Sequence, residues 1–347
     1  MLQESIVLID AFSQIFRAFY AIRHLSNSRG EPVNALLVFT RLLIGIEKNY
    51  PGRRGAMLFD SGKVRHRLEL LPEYKANRPP MPELLAQQIP FIREMSSAFG
   101  WQMLSADDYE ADDLIGVLAK NLDGDIRIIS SDKDLSQLID ERVKMLTPAN
   151  GSTGGFEERD AAAVKDKFGV SPELIIDYLA LLGDSSDNID GVKGIGAKGA
   201  AELLNTCGAS CNWIDDISKV PAKFASKLSA GAEILRRNIK LVSLRTDLPE
   251  GWSDPEKMVI RKSPDWAEIR RLCRHYGLKS ILKDIPEQPD IAEQKQETVC
   301  DKFVPAQEED LFSFMQRPVE EPEKKVSSVQ NDGTDGEKAV QGELFSL

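Results

Sequence analysis

Nine carboxylates fall in five short clusters of this 347-residue chain: Asp10; Asp60; Glu110 with Asp112 and Asp113; Asp132 with Asp134; and Asp184 with Asp187. Acidic side chains gathered in one pocket repel one another, and such a pocket needs cations to offset the repulsion. Ligation by oxygen alone suits Mg²⁺ or Mn²⁺ rather than zinc. A lone aspartate is more often a helix cap or part of a solvated face. Five clusters resist that reading, because three of them follow apolar, strand-like runs. Histidine is scarce, at positions 24, 66 and 275, which pushes catalysis toward carboxylates.

The elements that must position these acids can be read from the apolar pattern. SIVLID (5–10), AMLFD (56–60), WQML (101–104), DIRIIS (125–130) and VKMLT (143–147) read as buried strands. Helical patterns cover 11–23, 34–48, 83–99, 110–121 and 134–139. Strands alternating with helices predict a parallel sheet with helices on both faces. Ligands of such sheets collect at the carboxyl ends of the strands, where Asp10, Asp60 and Asp132 are delivered. Asp132 and Asp134, two apart in an extended segment, should face one side. Asp184 and Asp187, three apart at a helix start, should also share a face. Glu110 and Asp112 would oppose each other within a helix, so YEADD is expected to straddle a helix entrance, near its positive end.

Beyond about residue 160 the pattern turns helical, opening with the Ser-Pro entry of SPELIIDYLALL. GVKGIGAKGAAELL (191–204) then carries Gly191, Gly194, Gly196 and Gly199, flanked by Lys193 and Lys198. A glycine hairpin leading into a helix lets backbone amides approach a phosphate without side-chain obstruction. The pattern is not a P-loop, since GxxxxGK[ST] is absent. Backbone contacts of this kind position DNA without reading its sequence. The segment 61–82 fits neither helix nor strand. It carries Lys63, Arg65, Arg67, Lys75 and Arg78 against two glutamates and is broken by prolines 72, 79, 80 and 82. It reads as a basic excursion over the edge where the acids gather.

The formal charge of −11 is concentrated at the end of the chain. Residues 286–347 hold 15 acids and 6 bases, while residues 1–285 hold 40 and 38. Setting the nine clustered acids aside leaves the rest of the body at +7, so the acidic total does not exclude a nucleic-acid partner. The proline-containing tail has no apolar period and is expected to be disordered. Cysteines 207, 211, 273 and 300 are too few and scattered for a disulfide framework, which fits a reducing cytoplasm. Charged residues interrupt the first 25 positions, so no signal peptide is expected, and no apolar run approaches the ~20 residues of a membrane span.

The motifs VLIDAFSQIFRAFYAI, SNSRGEPVNA, LFDSG, LPEYKANRPPMP, YEADDLIG, SSDKDLSQL, ELIIDYLALLGDSSDNIDGVKGIG and LVSLRTDLP occur in this order over about residues 4–285. Together they resemble the bacterial 5′→3′ exonuclease and flap endonuclease family, as in the 5′ nuclease domain of DNA polymerase I. The resemblance implies a resolvase-like (PIN-like) α/β catalytic domain over 1–165, with a basic arch at about 61–82. A helix–three-turn–helix duplex-binding domain would follow over 166–285, then the acidic tail. It implies hydrolysis of DNA phosphodiesters at 5′ ends and flaps with two Mg²⁺ ions, Mn²⁺ being able to substitute, in replication or repair. By position, Asp10, Asp60, Glu110 and Asp112 resemble first-metal ligands, with Asp113 close by or acting through water. Asp132, Asp134, Asp184 and Asp187 resemble the second-metal group. Lys75 and Arg78 match the arch residues that grip the scissile phosphate, and Arg17 matches the arginine after the first strand. The hairpin at 191–199 resembles the family's K⁺-assisted duplex site.

Ala11, Asp190 and Gly199 depart from the family pattern; Gly199 stands where threonine is usual, which touches the potassium site. None of these removes a metal ligand. No polymerase segment follows, so a stand-alone, monomeric cytoplasmic enzyme is expected. The final QGELFSL places Gln341, Leu344 and Phe345 in the Q-x-x-L-F pattern of sliding-clamp ligands, and EEDLFSFM (308–315) repeats the Leu-Phe theme. Three other readings compete with this one. A catalytically silent flap- or junction-binding module should have lost ligands. A PIN-type ribonuclease would lack the arch and the glycine hairpin. An aspartyl phosphatase would need a second acid where the first strand gives Asp-Ala-Phe.

Overall fold

The computed structural model describes residues 5–62, 64–149 and 155–286. The tail and its Gln341, Leu344 and Phe345 lie outside the described residues, as does Lys63. In chain order the elements are β1 (Ile6–Asp10), α1 (Ala11–Ala21), α2 (Asn34–Asn49), β2 (Gly55–Leu58), α3 (Arg65–Leu70), α4 (Glu83–Ala86) and α5 (Ile89–Ala98). Next come β3 (Gln102–Leu104), α6 (Ala111–Asn121), β4 (Ile126–Ile129), β5 (Val143–Pro148), β6 (Phe156–Arg159), α7 (Ala161–Phe168) and α8 (Ile175–Leu182). The remainder is β7 (Gly183–Asp184), β8 (Ile189–Asp190), α9 (Ala197–Cys207), α10 (Ala222–Val242), α11 (Pro255–Met258) and α12 (Trp266–His275).

The main sheet has the order β3-β2-β1-β4-β5-β6. Its first five strands are parallel and β6 runs antiparallel to β5. β1 is central and wholly buried. Its side chains alternate between two cores: Ile6 and Leu8 enter one, Val7 and Ile9 the other. The first core is closed by α6, α8, α9 and α10, and the second by α1, α2, α5 and α12. The late helical region therefore completes, with α6, one face of the sheet, while residues 266–285 return to pack on the opposite face.

Several expected elements take a different form. The helix expected over 83–99 is two, because Pro90 stands in the first turn of α5 and cannot continue a preceding helix. The segment 61–82 contains α3. The 134–139 helix is a short 3₁₀ turn, Asp134–Leu138. β6, an edge strand with the polar sequence FEER, was missed, as was the β7–β8 hairpin inside the region read as helical.

Candidate metal centre

β2, β1 and β4 lie side by side and end on one edge, so Asp10, Asp60 and Asp132 arrive there from adjacent strands. Asp10 also caps α1: one carboxylate oxygen accepts from the Ser13 amide at 3.2 Å and the other from the Ser130 hydroxyl at 2.8 Å. Asp60 accepts from the Ala111 amide at 2.8 Å, which ties the end of β2 to the start of α6. Glu110 is the N-cap of α6 and Asp112 lies in its first turn, so YEADD does straddle a helix entrance. The Asp132–Asp134 segment is not extended. The Asp134 amide donates to Asp132 at 2.9 Å and opens the 3₁₀ turn. Asp134 is thereby aimed at the tip of the β7–β8 hairpin. There Asp184 caps a second 3₁₀ turn that ends in Asp187. Carboxylate oxygens of Asp134, Asp184 and Asp187 lie within 4.8 Å of one another.

The electrostatics separate two groups. Burial, with repulsion from Asp60 and Asp132, carries the Asp10 carboxyl up to about 7. Burial also raises Asp60, with Glu110 adding to the effect against the opposing pull of Lys75. Asp112 is raised well above its ordinary value by burial and by Asp132 and Asp10. Asp134 rises to about 8 through burial and Asp132, with Asp184 and Asp187 adding to it. Among the described residues, no Lys or Arg forms a salt bridge with Asp10, Asp60, Asp112, Asp132 or Asp134. These five carboxylates are crowded at one edge, and none of them is paired with a protein cation among the described residues. Their donors are all oxygen, which fits a hard divalent ion.

The other four acids have protein partners. Lys75 Nζ reaches Glu110 at 2.7 Å and Asp187 at 3.9 Å, and Arg78 pairs with Asp187 at 2.5 Å. Lys133 meets Asp184 at 2.9 Å. The basic excursion thus does cross the acidic edge. Lys75 adopts a left-handed backbone, φ +58°, and its amide donates to the Asp187 carbonyl at 3.0 Å. Burial opposes the charge of Lys75, but Glu110, Tyr74 and Asp187 together raise the ammonium above its ordinary range. Asp113 is fully buried, and both its oxygens accept from Arg67 at 2.7 Å. It accepts further from the amides of Glu110 and Arg245. Burial works against that carboxylate, yet the Arg67 pair holds it below the ordinary range. With its oxygens so occupied, Asp113 supports the site through Arg67.

Arg67 was counted in the sequence only as one basic residue of five. It is 2% exposed, and its guanidinium also reaches Glu110 at 2.9 Å and the Leu241 carbonyl at 3.1 Å. The Tyr74 hydroxyl, 3.1 Å from Glu110, and the Ser130 hydroxyl on Asp10 were missed as well. Their placement beside Lys75 and before Asp132 is the available signal. Arg17 does not enter the acidic cluster. Its guanidinium donates to the Pro148 carbonyl at 2.6 Å and the Ser131 hydroxyl at 3.3 Å.

The glycine hairpin divides by role. A Cβ at Gly191 would lie 2.1 Å from the Leu182 carbonyl oxygen, so this glycine permits packing against the end of α8. Gly194 has φ +84°, and Lys227 holds its carbonyl at 2.9 Å. Gly196 caps α9 and opens onto free space. Lys193 and Lys198 are exposed beside it.

Comparison with known proteins agrees with this geometry. Residues 5–169 match the family model of the 5′–3′ exonuclease N-terminal resolvase-like domain, and 170–265 match its C-terminal SAM fold. The 5′–3′ exonuclease of Aquifex aeolicus is 34% identical over 285 residues, covering 81% of this chain and 95% of that one. The chain belongs to the 5′–3′ exonuclease family. Membership makes it a nuclease of that type, and its crowded acids fit the family's dependence on divalent metal. DNA polymerase I of Pseudomonas aeruginosa is 38% identical over 259 residues, 72% of this chain but 28% of that one. This exonuclease-family chain thus spans about a third or less of the polymerase relatives it matches. Among solved structures, the bacteriophage T5 5′-exonuclease with bound zinc gives a TM-score of 0.57 at 25% identity, covering 79% of this chain and 98% of that one. The T5 flap endonuclease solved with DNA and metal ions gives 0.56, also at 25% identity, covering 79% and 99%. The catalytic core of Rad2 bound to DNA, at 0.54 and 18% identity over 83% and 93%, shares the fold. Among the described residues no helix is long and apolar enough to cross a membrane.

Proposed function

We propose that the chain is a structure-selective 5′ nuclease that hydrolyses DNA phosphodiesters at 5′ ends and flaps, acting in replication or repair. What supports this most is the convergence of Asp10, Asp60, Asp112 and Asp132 on the carboxyl edge of the sheet, beside the Asp134–Asp184–Asp187 group. We assign Asp10, Asp60, Glu110 and Asp112 to one Mg²⁺ and Asp132, Asp134, Asp184 and Asp187 to the other; Asp132 faces both groups electrostatically. Held by these carboxylates, two divalent ions would supply Lewis-acid activation of water and of the leaving oxygen. Lys75 and Arg78 reach from the basic segment onto Glu110 and Asp187 and are suited to hold the scissile phosphate. Glu110 stays anionic despite its burial because Lys75 and Arg67 hold its carboxyl below the ordinary range. Residues 1–165 form the catalytic part in this reading, with the arch at about 61–82. Residues 166–285 grip duplex through the 191–199 hairpin, where K⁺ is a candidate ion. The enzyme works as a cytoplasmic monomer, and Gln341, Leu344 and Phe345 dock it on a sliding clamp.

The test uses end-labelled 5′-flap, nicked and blunt DNA, each with Mg²⁺ and with chelator. Expected are flap cleavage with Mg²⁺ and none with chelator. Asp132→Ala and Asp187→Ala should cut at least about a hundredfold more slowly while still binding the flap. Equal cleavage of all three substrates, or near-normal rates in either variant, would contradict the reading.

A further inference from the structure

One cationic group lies outside the centre just described. Arg159 ends β6 opposite Met145 of β5. Met145 belongs to the core face covered by the late helices. Strand alternation therefore turns the Arg159 guanidinium toward that face, where α7 follows at once. Glu157 shares its side of β6 but makes no ion pair with it among the described residues. One guanidinium nitrogen of Arg159 is buried without a hydrogen-bond partner. Lys167, near the end of α7, has no salt bridge among the described residues; its ammonium lies 5.2 Å from the Phe168 ring centre. Burial lowers the affinity of Lys167 for its proton, and the positive charges of Arg159 and then Lys133 lower it further, which places all three cations in one neighbourhood. Burial likewise lowers Arg159.

The position of this group matters as much as its charge. On one side Lys133 touches Asp184 of the acidic centre. On the other, Gly169 at the end of α7 packs on α9, where the Asn205 amide donates to its carbonyl at 2.7 Å. α9 is the helix that the glycine hairpin opens. Among the described residues Arg159 and Lys167 form no salt bridge, and they stand beside Lys133 on the flank of the acidic centre and against the last turn of α9. An unpaired, partly buried guanidinium fits a phosphate, which accepts from its fork of donors.

We propose that Arg159 and Lys167, with Lys133 beside them, form a phosphate-binding subsite that holds a backbone phosphate of the DNA on the flank of the cleavage centre. The proposal rests on the nuclease reading and adds a contact that the acidic centre and the hairpin do not supply.

The experiment uses the full chain as wild type, as Arg159→Met, as Lys167→Met and as the double variant, with melting temperatures confirming that each is folded. Arg159→Lys keeps the charge without the planar fork. Affinity for a 5′-flap duplex is measured in Ca²⁺ across a salt series. In the double variant, the slope of log K against log salt should become shallower by about one to two, as expected for one or two lost phosphate contacts. Affinity should fall about tenfold at low salt, and Arg159→Lys should recover part of it. A single neutral methylphosphonate, scanned along the strands, should reproduce the loss in the wild type at one linkage and add nothing in the double variant. An unchanged slope, or methylphosphonate effects equal in both proteins at every linkage, overturns the proposal. Competition by inorganic phosphate that depends on Arg159, with no change in DNA slope, overturns it in favour of a free-phosphate site. A wild-type chain that neither binds nor cuts the flap would instead remove the nuclease reading itself.

Discussion

At the scale of single residues, the acidic centre depends on two kinds of carboxylate. Asp10, Asp60, Asp112, Asp132 and Asp134 gather without a salt bridge to any described Lys or Arg, whereas Asp113 is saturated by Arg67 and two amides. Nothing in the spacing of YEADD separates Asp112 from Asp113. The difference lies in a partner 46 positions away in sequence. Arg67 joins Glu110, Asp113 and the end of α10. Arg67→Met should leave the buried Asp113 without its cation and Glu110 with Lys75 alone, and destabilise the fold by about 3–5 kcal/mol. Urea unfolding checks this, and a loss below about 1 kcal/mol would mean that the pair is worth little. The nine acids were legible because of their residue types and their positions at the ends of apolar runs. The hydroxyls of Ser130 and Tyr74 were not, because neither residue type signals a role without its neighbour.

At the scale of elements, turns rather than helices bring the second acidic group together. Asp134 opens a 3₁₀ turn, and Asp184 and Asp187 sit on the β7–β8 hairpin. The sequence suggested a shared face for Asp184 and Asp187 on a helix; the convergence is present, but a hairpin produces it. That hairpin exists because glycines flank it: a Cβ on Gly183 would meet the Ile189 carbonyl oxygen at 2.3 Å, and one on Gly191 the Leu182 oxygen at 2.1 Å. Gly191→Ala should therefore lower stability and cripple cleavage together. Gly196→Ala meets open space and should leave the melting temperature within about 2 °C of wild type, while weakening duplex binding. Equal thermal effects of the two substitutions would refute this division of roles. β6, an exposed edge strand, carries no apolar alternation, and Pro90 starts a second helix inside the 83–99 pattern.

At the scale of the whole molecule, the buried acids should set how stability depends on pH. A carboxyl whose folded value is raised binds its proton more tightly in the native state than in the unfolded one. Raising pH through that window therefore destabilises the fold. Asp10, raised from 3.8 to about 7, and Asp134, raised to about 8, place the window between about pH 4 and 8. In chelator the melting temperature should fall as pH rises from 5 to 8. With Mg²⁺ the fall should be largely removed, because the ion binds the ionised native form. A flat chelator profile would show that these acids do not repel as placed. The layered α/β architecture was legible from alternating apolar runs. The way the late helices complete one sheet face, and residues 266–285 the other, was not, since helix periodicity says which side is apolar and not what it meets.

The most direct measurement is anomalous diffraction from crystals soaked in Mn²⁺. Two peaks are predicted, one enclosed by oxygens of Asp10, Asp60 and Asp112, the other by Asp134, Asp184 and Asp187. Density at neither position, with Lys75, Arg78 and Lys133 still on their acids, would contradict the account.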